Sequence, residues 1–438
     1  MLMICLSLAV VPTVAQTTWT MQRCMQYAVA HNHAVKQAEL ELDNYGAGRT
    51  AAFGRLLPGV DAGIGAQYNF GRAIDPETNG YTDVSTFHNG YELRASMPVF
   101  DGFSRIHALR AAKASMLMGR HALRERQDQT ALATLQAWVD QAYYEKTVTM
   151  AEEKLSETSL LLKQTRLLEE VGRKSSADVA QIEAQHAEAA YELTRQQSLL
   201  AQAALELKKT MNLPLSDTIR LTYNQPVGRL PEEAGLEPAG LPVGAGQSHP
   251  ALQTAYYSLQ VKRHEWHQAR AALFPSLSLG AGLNTTYYHT LHASAGQAFH
   301  TQFKNNMGEY VGATLSIPLF SRLQTITGIR RARNNYRIAC EEYAQKQLEL
   351  EKLSREAWQD WQGYLKQTEQ MTKKVEADSI AYQLTRRQFE EGLSTAIDLH
   401  MTSAQLLKSK ATLLQCQLMT IVKEQLVRYY RGETIWTE

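Results

Sequence analysis

No stretch of this 438-residue sequence beyond its first fifteen positions is apolar enough to cross a bilayer as a helix. The leading run, MLMICLSLAVVPTVA, is too short to span and is interrupted by Ser7 and Pro12. It fits a signal peptide over 1–15, cut at TVA|Q, although no Lys or Arg precedes its apolar core. Lacking any other candidate span, the chain is no inner-membrane transporter. Charge imbalance is missing too. Against 45 Lys and Arg stand 44 Asp and Glu, and neither the basic excess nor the basic stripe of a nucleic-acid binder is found. Cysteine is scarce: four residues, at 5, 24, 340 and 416, form neither a disulfide framework nor a metal spacing. No nucleophile, phosphate loop or catalytic carboxylate pair is present, so no enzyme and no cofactor is expected.

Proline is absent from two long stretches, between Pro98 and Pro214 and after Pro318, whereas six of the twelve prolines crowd into 214–250. Both proline-free stretches are rich in Ala, Leu, Glu, Gln, Lys and Arg and can be continuous helix. They read as copies. VGRKSSADVAQIEAQ around Gly172 answers EGLSTAIDLHMTSAQ around Gly392, and MPVFDGFSR at 97–105 answers IPLFSRLQT at 317–325. The offset is 220 in both cases (318 − 98 and 392 − 172), which implies two equivalent structural units. The chain therefore divides into 16–211, a proline-rich connector at 212–249, and 250–438. The helical stretches predict hairpins over 103–211 and 321–432, turning at 172–178 and 392–398, with long arms of roughly 100 Å. In the last helix Met401, Ala404, Leu407, Ala411, Leu414, Leu418 and Ile421 recur at spacings of three and four, a coiled-coil-like seam.

Four segments alternate instead with period two: 58–72, 90–100, 275–288 and 306–320. In PGVDAGIGAQYNFG, Val60, Ala62, Ile64, Ala66, Tyr68 and Phe70 share one face, while Gly, Asp, Gln and Asn occupy the other. Such strands suit lipid on one side and a polar lumen on the other, with aromatics near the strand ends at the interfaces. In lipid every backbone group must be paired, so the strands must close, and four cannot. Eight would leave no use for a polar lumen. Three copies giving twelve strands is the expected assembly. Glu309, on the apolar face of the fourth segment, is the one residue at odds with lipid, and its place near the strand start is where an interface could accommodate it.

With these features in place, the chain resembles the TolC-like outer-membrane channel family. The resemblance rests on TWTMQRCMQYAVAHN, LLPGV and LFPSL opening the strand pairs, PVFDG and PLFSR closing them, SHPALQTA, and the two glycine–aspartate tips. It implies a fold that is mainly α with a membrane β part: a homotrimer with a 12-stranded outer-membrane barrel above a periplasmic α-barrel tunnel of long antiparallel hairpins. It also implies a periplasmic adaptor and an inner-membrane pump as partners in efflux or type I secretion. The alternative is a structural helical protein of the cell envelope whose strands form a soluble sheet. Phe103 and the FSR sequence depart from the family where the helices begin. At the second tip Ser394 and Met401 stand where some members carry Arg and a second Asp, so a double acidic ring is not carried over.

The candidate gate and adaptor-docking residues are Gly172, Ser175, Asp178, Gly392, Thr395 and Asp398. SSAD and TAID are both Ser/Thr-x-x-Asp capping boxes, and both glycines suit left-handed helix ends. Two readings stay open: helix capping alone, or capping combined with a ring of carboxylates whose mutual repulsion would raise their pKa values. His264 and His267 in RHEWHQ are one turn apart without a third ligand nearby in sequence and read as surface helix. The histidines of YYHTLHASAGQAFH (287–300) read as a polar extracellular loop.

Overall fold

The computed structural model describes residues 19–74, 79–83, 85–222, 249–291 and 297–436. The expected signal peptide, most of the proline-rich connector and His292 lie outside these residues. Eight helices and six strands follow in the order α1 (Met21–His31), α2 (His33–Gly54), β1 (Gly59–Asn69), β2 (Arg72–Ile74), β3 (Tyr81–Asp83), β4 (Thr86–Phe100), α3 (Ser104–Glu170), α4 (Ser176–Met211), α5 (Pro250–Ala271), β5 (Ser276–Thr290), α6 (Phe299–Asn305), β6 (Gly308–Ser316), α7 (Gln324–Glu390) and α8 (Ala396–Tyr430). Pro250 opens α5, where its missing N–H costs nothing. α3 and α7 are each 67 residues long, and α7 starts 220 residues after α3.

Two compact units divide the chain, one of 1–40, 121–252 and 346–438, the other of 41–120 and 253–345. The first, made of helices and the turns that join them, holds no strand of a sheet among its described residues. Its largest core joins Cys24, Met25 and Ala28 of α1 with Leu135 and Trp138 of α3, Leu207 and Met211 of α4, and Leu414 and Leu418 of α8. Burial pushes the Cys24 thiol up to about 12, so it packs as a small apolar group and is unreactive. Threonine replaces leucine at several inward positions of α3. Thr134, Thr158 and Thr165 are fully buried, and each hydroxyl donates to the carbonyl four residues back. Trp19 pairs with Leu221 as an isolated parallel bridge, tying the described start of the chain to the start of the connector.

The seam expected along α8 is only partly inward. Leu414 and Leu418 are buried, but Met401 is 64% exposed, and nearer the tip the buried line runs through Leu399, Ser403, Leu406 and Ser409. Two serines face inward there because polar contacts, not apolar ones, meet them: Ser403 bonds Lys154 and Ser409 bonds Asp378.

In the second unit β1, β4, β5 and β6 form one antiparallel sheet in that order, with β1 and β6 at its edges. The four expected strands are present with shifted ends. β4 begins at Thr86, because Thr86–Asn89 extend the ladder with Asn69–Ala66 on one side and Thr290–Tyr287 on the other. β6 ends at Ser316, two residues before Pro318, which has no N–H to donate. β5 likewise runs to Thr290, so the segment read as a loop from 287 is strand at its start, and the short helix α6 begins at Phe299. The β2–β3 pair had no signal in the sequence.

Register places Val60, Ala62 and Ile64 beside Ala95, Leu93 and Tyr91, and Leu93 and Ala95 beside Leu283 and Ala281. Val311 and Ala313 of β6 continue the row beside Ala281 and Leu279, so one sheet face is predominantly apolar from edge to edge. It is also bare: Ile64 is 76% and Val311 87% exposed. Glu309 lies on this face at the start of β6, paired with Leu283. α6 covers the face only near the loop end. There Phe299 and Phe303 meet Tyr91 at ring distances of 6.1 and 5.3 Å. The Gln302 side chain both accepts from the Tyr288 N–H and donates to its carbonyl, at 2.9 Å each. The opposite face is lined by Asp61, Gly63, Glu92, Arg94, Gly282 and Tyr310, and the Arg94 guanidinium sits 2.8 Å from Glu92.

Where β4 leads into α3, Gly102 and Phe103 both take left-handed φ values of +66° and +69°, and Arg322 and Leu323 do the same before α7 at +51° and +64°. A Cβ on Gly102 would lie 2.6 Å from the Ala271 carbonyl oxygen, so only glycine fits there. Arg105 clamps this corner. It bonds the Asp101 carboxylate at 2.9 Å and donates to the carbonyls of Arg55 and Pro98.

Candidate functional site: the two hairpin tips

Both tips are built by the same local chemistry. α3 ends in a Schellman arrangement: Gly172 N–H donates to the Glu169 carbonyl and Arg173 N–H to the Leu168 carbonyl, both at 2.8 Å. α7 ends likewise, with Gly392 bonding Phe389 at 3.1 Å and Leu393 bonding Gln388 at 2.7 Å. The glycines turn the chain with φ of +74° and +80°. Three residues on, α4 and α8 open with reciprocal capping boxes. The Ser175 hydroxyl accepts from Asp178 N–H at 3.2 Å while the Asp178 carboxylate accepts from Ser175 N–H at 3.1 Å. Thr395 and Asp398 repeat this at 3.1 Å in both directions.

These hydrogen bonds hold both carboxyls below the usual carboxylate range, the side-chain bond from Ser175 or Thr395 first and the backbone bond second. Within one chain the shift is thus opposite to that expected from a ring of like charges. Ser394 is drawn back onto α7, where its hydroxyl donates to the Thr385 carbonyl at 3.3 Å.

The two hairpins are also stitched to each other near the tips, which sequence reading missed. Ile182 of α4, Phe389 of α7, and Ala396 and Leu399 of α8 form a small buried core. The Lys174 ammonium sits 3.8 Å from the centre of the Phe389 ring. Gln185 of α4 donates to the Ala396 carbonyl at 3.3 Å. On α3, Glu157 accepts Lys154 at 3.2 Å and faces Arg386 of α7 at 3.7 Å. Lys154 also donates to Ser403 of α8. Lys154, Glu157, Arg386 and Ser403, with Tyr382 and Lys410, line an open groove of about 900 Å³. Partners so far apart in sequence carry no shared pattern that could have announced them.

Elsewhere, His264 and His267 of α5 meet His107 of α3 at ring distances of 5.8 and 5.1 Å. Among the described residues no group of three or more His, Cys, Asp or Glu could hold a metal ion.

The sequence profile of the family described as Outer membrane efflux protein matches residues 24–213 and again 241–429. The toluene efflux pump outer membrane protein TtgC of Pseudomonas putida is 28% identical over 285 residues, which cover 63% of this chain and 56% of TtgC. The matched part thus spans little more than half of that relative. Among solved structures, the outer-membrane channel OprN superposes with a TM-score of 0.81 at 18% identity, covering 95% of this chain and 91% of OprN. The outer membrane protein VceC of Vibrio cholerae gives 0.80 at 13%, covering 95% and 96%. At such identities these two speak for the fold alone. The profile, matched over most of the sequence, speaks for more: the chain belongs to the outer membrane efflux protein family and is a protein of the outer membrane.

Proposed function

We propose that this chain is the outer-membrane duct of a tripartite efflux or type I secretion system, working as an internally duplicated homotrimer. One observation carries the reading. Among the described residues, the sheet β1-β4-β5-β6 has two unpaired edges and an apolar face with no cover over most of its length. Lipid would meet that face, and the edges would then need backbone partners that only other copies supply. Three copies give a closed 12-stranded barrel. The two equal-length hairpins of each chain would continue it as a periplasmic tunnel, belted by the connector at 212–249. Equal helix lengths and paired profile matches support the duplication, with repeats at 16–211 and 250–438.

The tips are the gate and the docking point for the periplasmic adaptor, with the inner-membrane pump supplying the energy. Threefold symmetry would gather Asp178 and Asp398 into a ring of carboxylates at the tunnel mouth. The Glu157–Arg386 ion pair and the Lys154–Ser403 hydrogen bond would hold the two hairpins of a chain together in the closed state. Transport is then passive diffusion through a duct that opens when the hairpins separate.

Two measurements test this. The detergent-extracted particle from separated membranes should have the mass of about three chains and come from the outer-membrane fraction. A monomer outside the membranes would instead fit a structural envelope protein with a soluble sheet. In planar bilayers, Arg386→Ala, or Asp178→Ala with Asp398→Ala, should raise conductance of the intact trimer. Unchanged conductance would leave these residues with capping and packing roles only.

A further inference from the structure

Near-neutrality of the whole chain hides a local surplus. Four segments flank the sheet on its helical side: 46–58 before β1, 101–115 after β4, 261–275 before β5 and 317–337 after β6. Together they hold thirteen Lys and Arg but only two acidic residues, Asp101 and Glu265. Both acids are already engaged, Asp101 with Arg105 at 2.9 Å and Glu265 with Lys262 at 2.9 Å. That leaves Arg49, Arg55, Arg110, Lys113, Arg263, Arg270, Arg322, Arg330, Arg331, Arg333 and Arg337, all exposed and none in an ion pair among the described residues. All belong to the same unit as the sheet.

A soluble helix surface would intersperse carboxylates among such cations, as the ion pairs along α3 and α7 in the other unit do. Here the cations lie within one to a few helical turns of the strand ends, next to the bare apolar face. Aromatic rings with polar edges share this level. Trp266 stacks on Tyr336 at 5.7 Å, and the Arg270 guanidinium sits 5.7 Å from the Trp266 ring. Tryptophan and tyrosine favour the depth of lipid headgroups. His107, His264 and His267 lie among the same arginines. Burial first, then the neighbouring charges, lowers all three, so at neutral pH the positive charge comes from Arg and Lys.

We propose that these helix ends form a cationic collar that binds the phosphate headgroups of anionic glycerophospholipids in the leaflet on the helix side of the barrel. The inference rests on the strands spanning the outer membrane as described above. Continuity of the collar with the apolar face selects a lipid over a soluble anion, because one molecule meets both surfaces at once. The collar also fixes the depth of the barrel, since sliding it into hydrocarbon would strip the arginines of water.

The test uses the detergent-extracted oligomer in a neutral detergent, titrated with phosphatidylglycerol or phosphatidylcholine and read by native mass spectrometry. Phosphatidylglycerol should be retained in preference, less so as salt rises. The Arg330→Gln/Arg331→Gln/Arg333→Gln variant should weaken that retention by on the order of a hundredfold while leaving phosphatidylcholine unaffected. Should this variant lose its oligomeric mass, Arg263→Gln/Arg270→Gln gives the same comparison with a smaller expected loss. Equal retention of the two lipids, undiminished phosphatidylglycerol binding in the variants, or stronger capture of lipopolysaccharide would each overturn the collar. The outcomes separate cleanly: a particle that is not a membrane oligomer removes the channel reading, whereas a trimer without lipid preference removes only the collar.

Discussion

The ring of Tyr310 lies over Gly282, its cross-strand neighbour, so that a Cβ on Gly282 would stand 2.6 Å from the ring and 2.9 Å from the Leu93 carbonyl oxygen. Gly282 on the polar face is therefore a platform for a neighbouring side chain. Glu92 lies over Gly63 in the same way, at 3.1 Å. Long side chains laid flat cover backbone that glycine would otherwise leave bare, and they keep the polar side open.

Gly282→Ala should accordingly destabilise the sheet, because the Leu93 oxygen is backbone and cannot swing aside. Gly312→Ala is the control, with nothing within 4 Å of the added methyl. Heat-modified mobility on gels should show Gly282→Ala losing its folded, oligomeric band at a lower temperature, with Gly312→Ala matching the parent. Equal behaviour of the two would show that Tyr310 and β4 yield without cost.

At the tips, Gly172→Ala meets no steric obstacle and is opposed by its φ alone, a cost of about 1–2 kcal/mol. Ser175→Ala removes one side of a capping box, about 1 kcal/mol. Amide exchange over 172–182 should quicken by roughly fivefold to thirtyfold in either variant, without change in the core of α3. Asp178 and Asp398 are held low when folded. Their contribution is thus complete above the ordinary carboxylate pKa and is lost as pH falls through their lower folded values. In the parent protein, tip exchange corrected for its intrinsic pH dependence should stay level down to about pH 4 and rise only below it.

His249 is 1% exposed, edge-on to Tyr429 at 4.8 Å, and burial drops it to about 4. Its Nδ1 accepts the Ala251 N–H at 3.3 Å, leaving Nε2 to carry the proton, and Nε2 finds no partner among the described residues. The folded state therefore holds a neutral imidazole, whereas the unfolded chain takes up a proton near pH 6.5. Stability from this group is complete above 6.5 and declines as pH falls towards 4, by about 3 kcal/mol at most. His249→Phe preserves ring packing and should flatten the fall in urea midpoint between pH 6.5 and 4. A slope as steep as the parent's would mean that other histidines carry the effect.

Much of this architecture is legible in the residues themselves. Alternation from Val60 to Tyr68 marks β1, and Ser175 with Asp178 marks the start of α4, because each depends on neighbours a few positions away. The same logic explains the misses. Phe87 is the lone apolar residue in 86–89, so the first rungs of the β4 ladder show no alternation. α6 is seven residues long, too short for a helical period to emerge. In α8, apolar spacing pointed to Met401, while the structure buries Ser403 because Lys154 comes from another hairpin to meet it.

By itself, then, the sequence determined the local grammar: two long helical hairpins, four alternating strands, left-handed glycines and reciprocal caps. These follow from backbone sterics and short-range hydrogen bonds, which act within about four residues. Only tertiary structure decided which helix faces meet, which edge strands stay open, and that Glu157 would face Arg386. It also gathered arginines from four dispersed segments beside one sheet, where a linear reading saw no basic stripe at all. Such contacts depend on the path of the whole chain, and pairing between remote segments leaves no period in the sequence to be read.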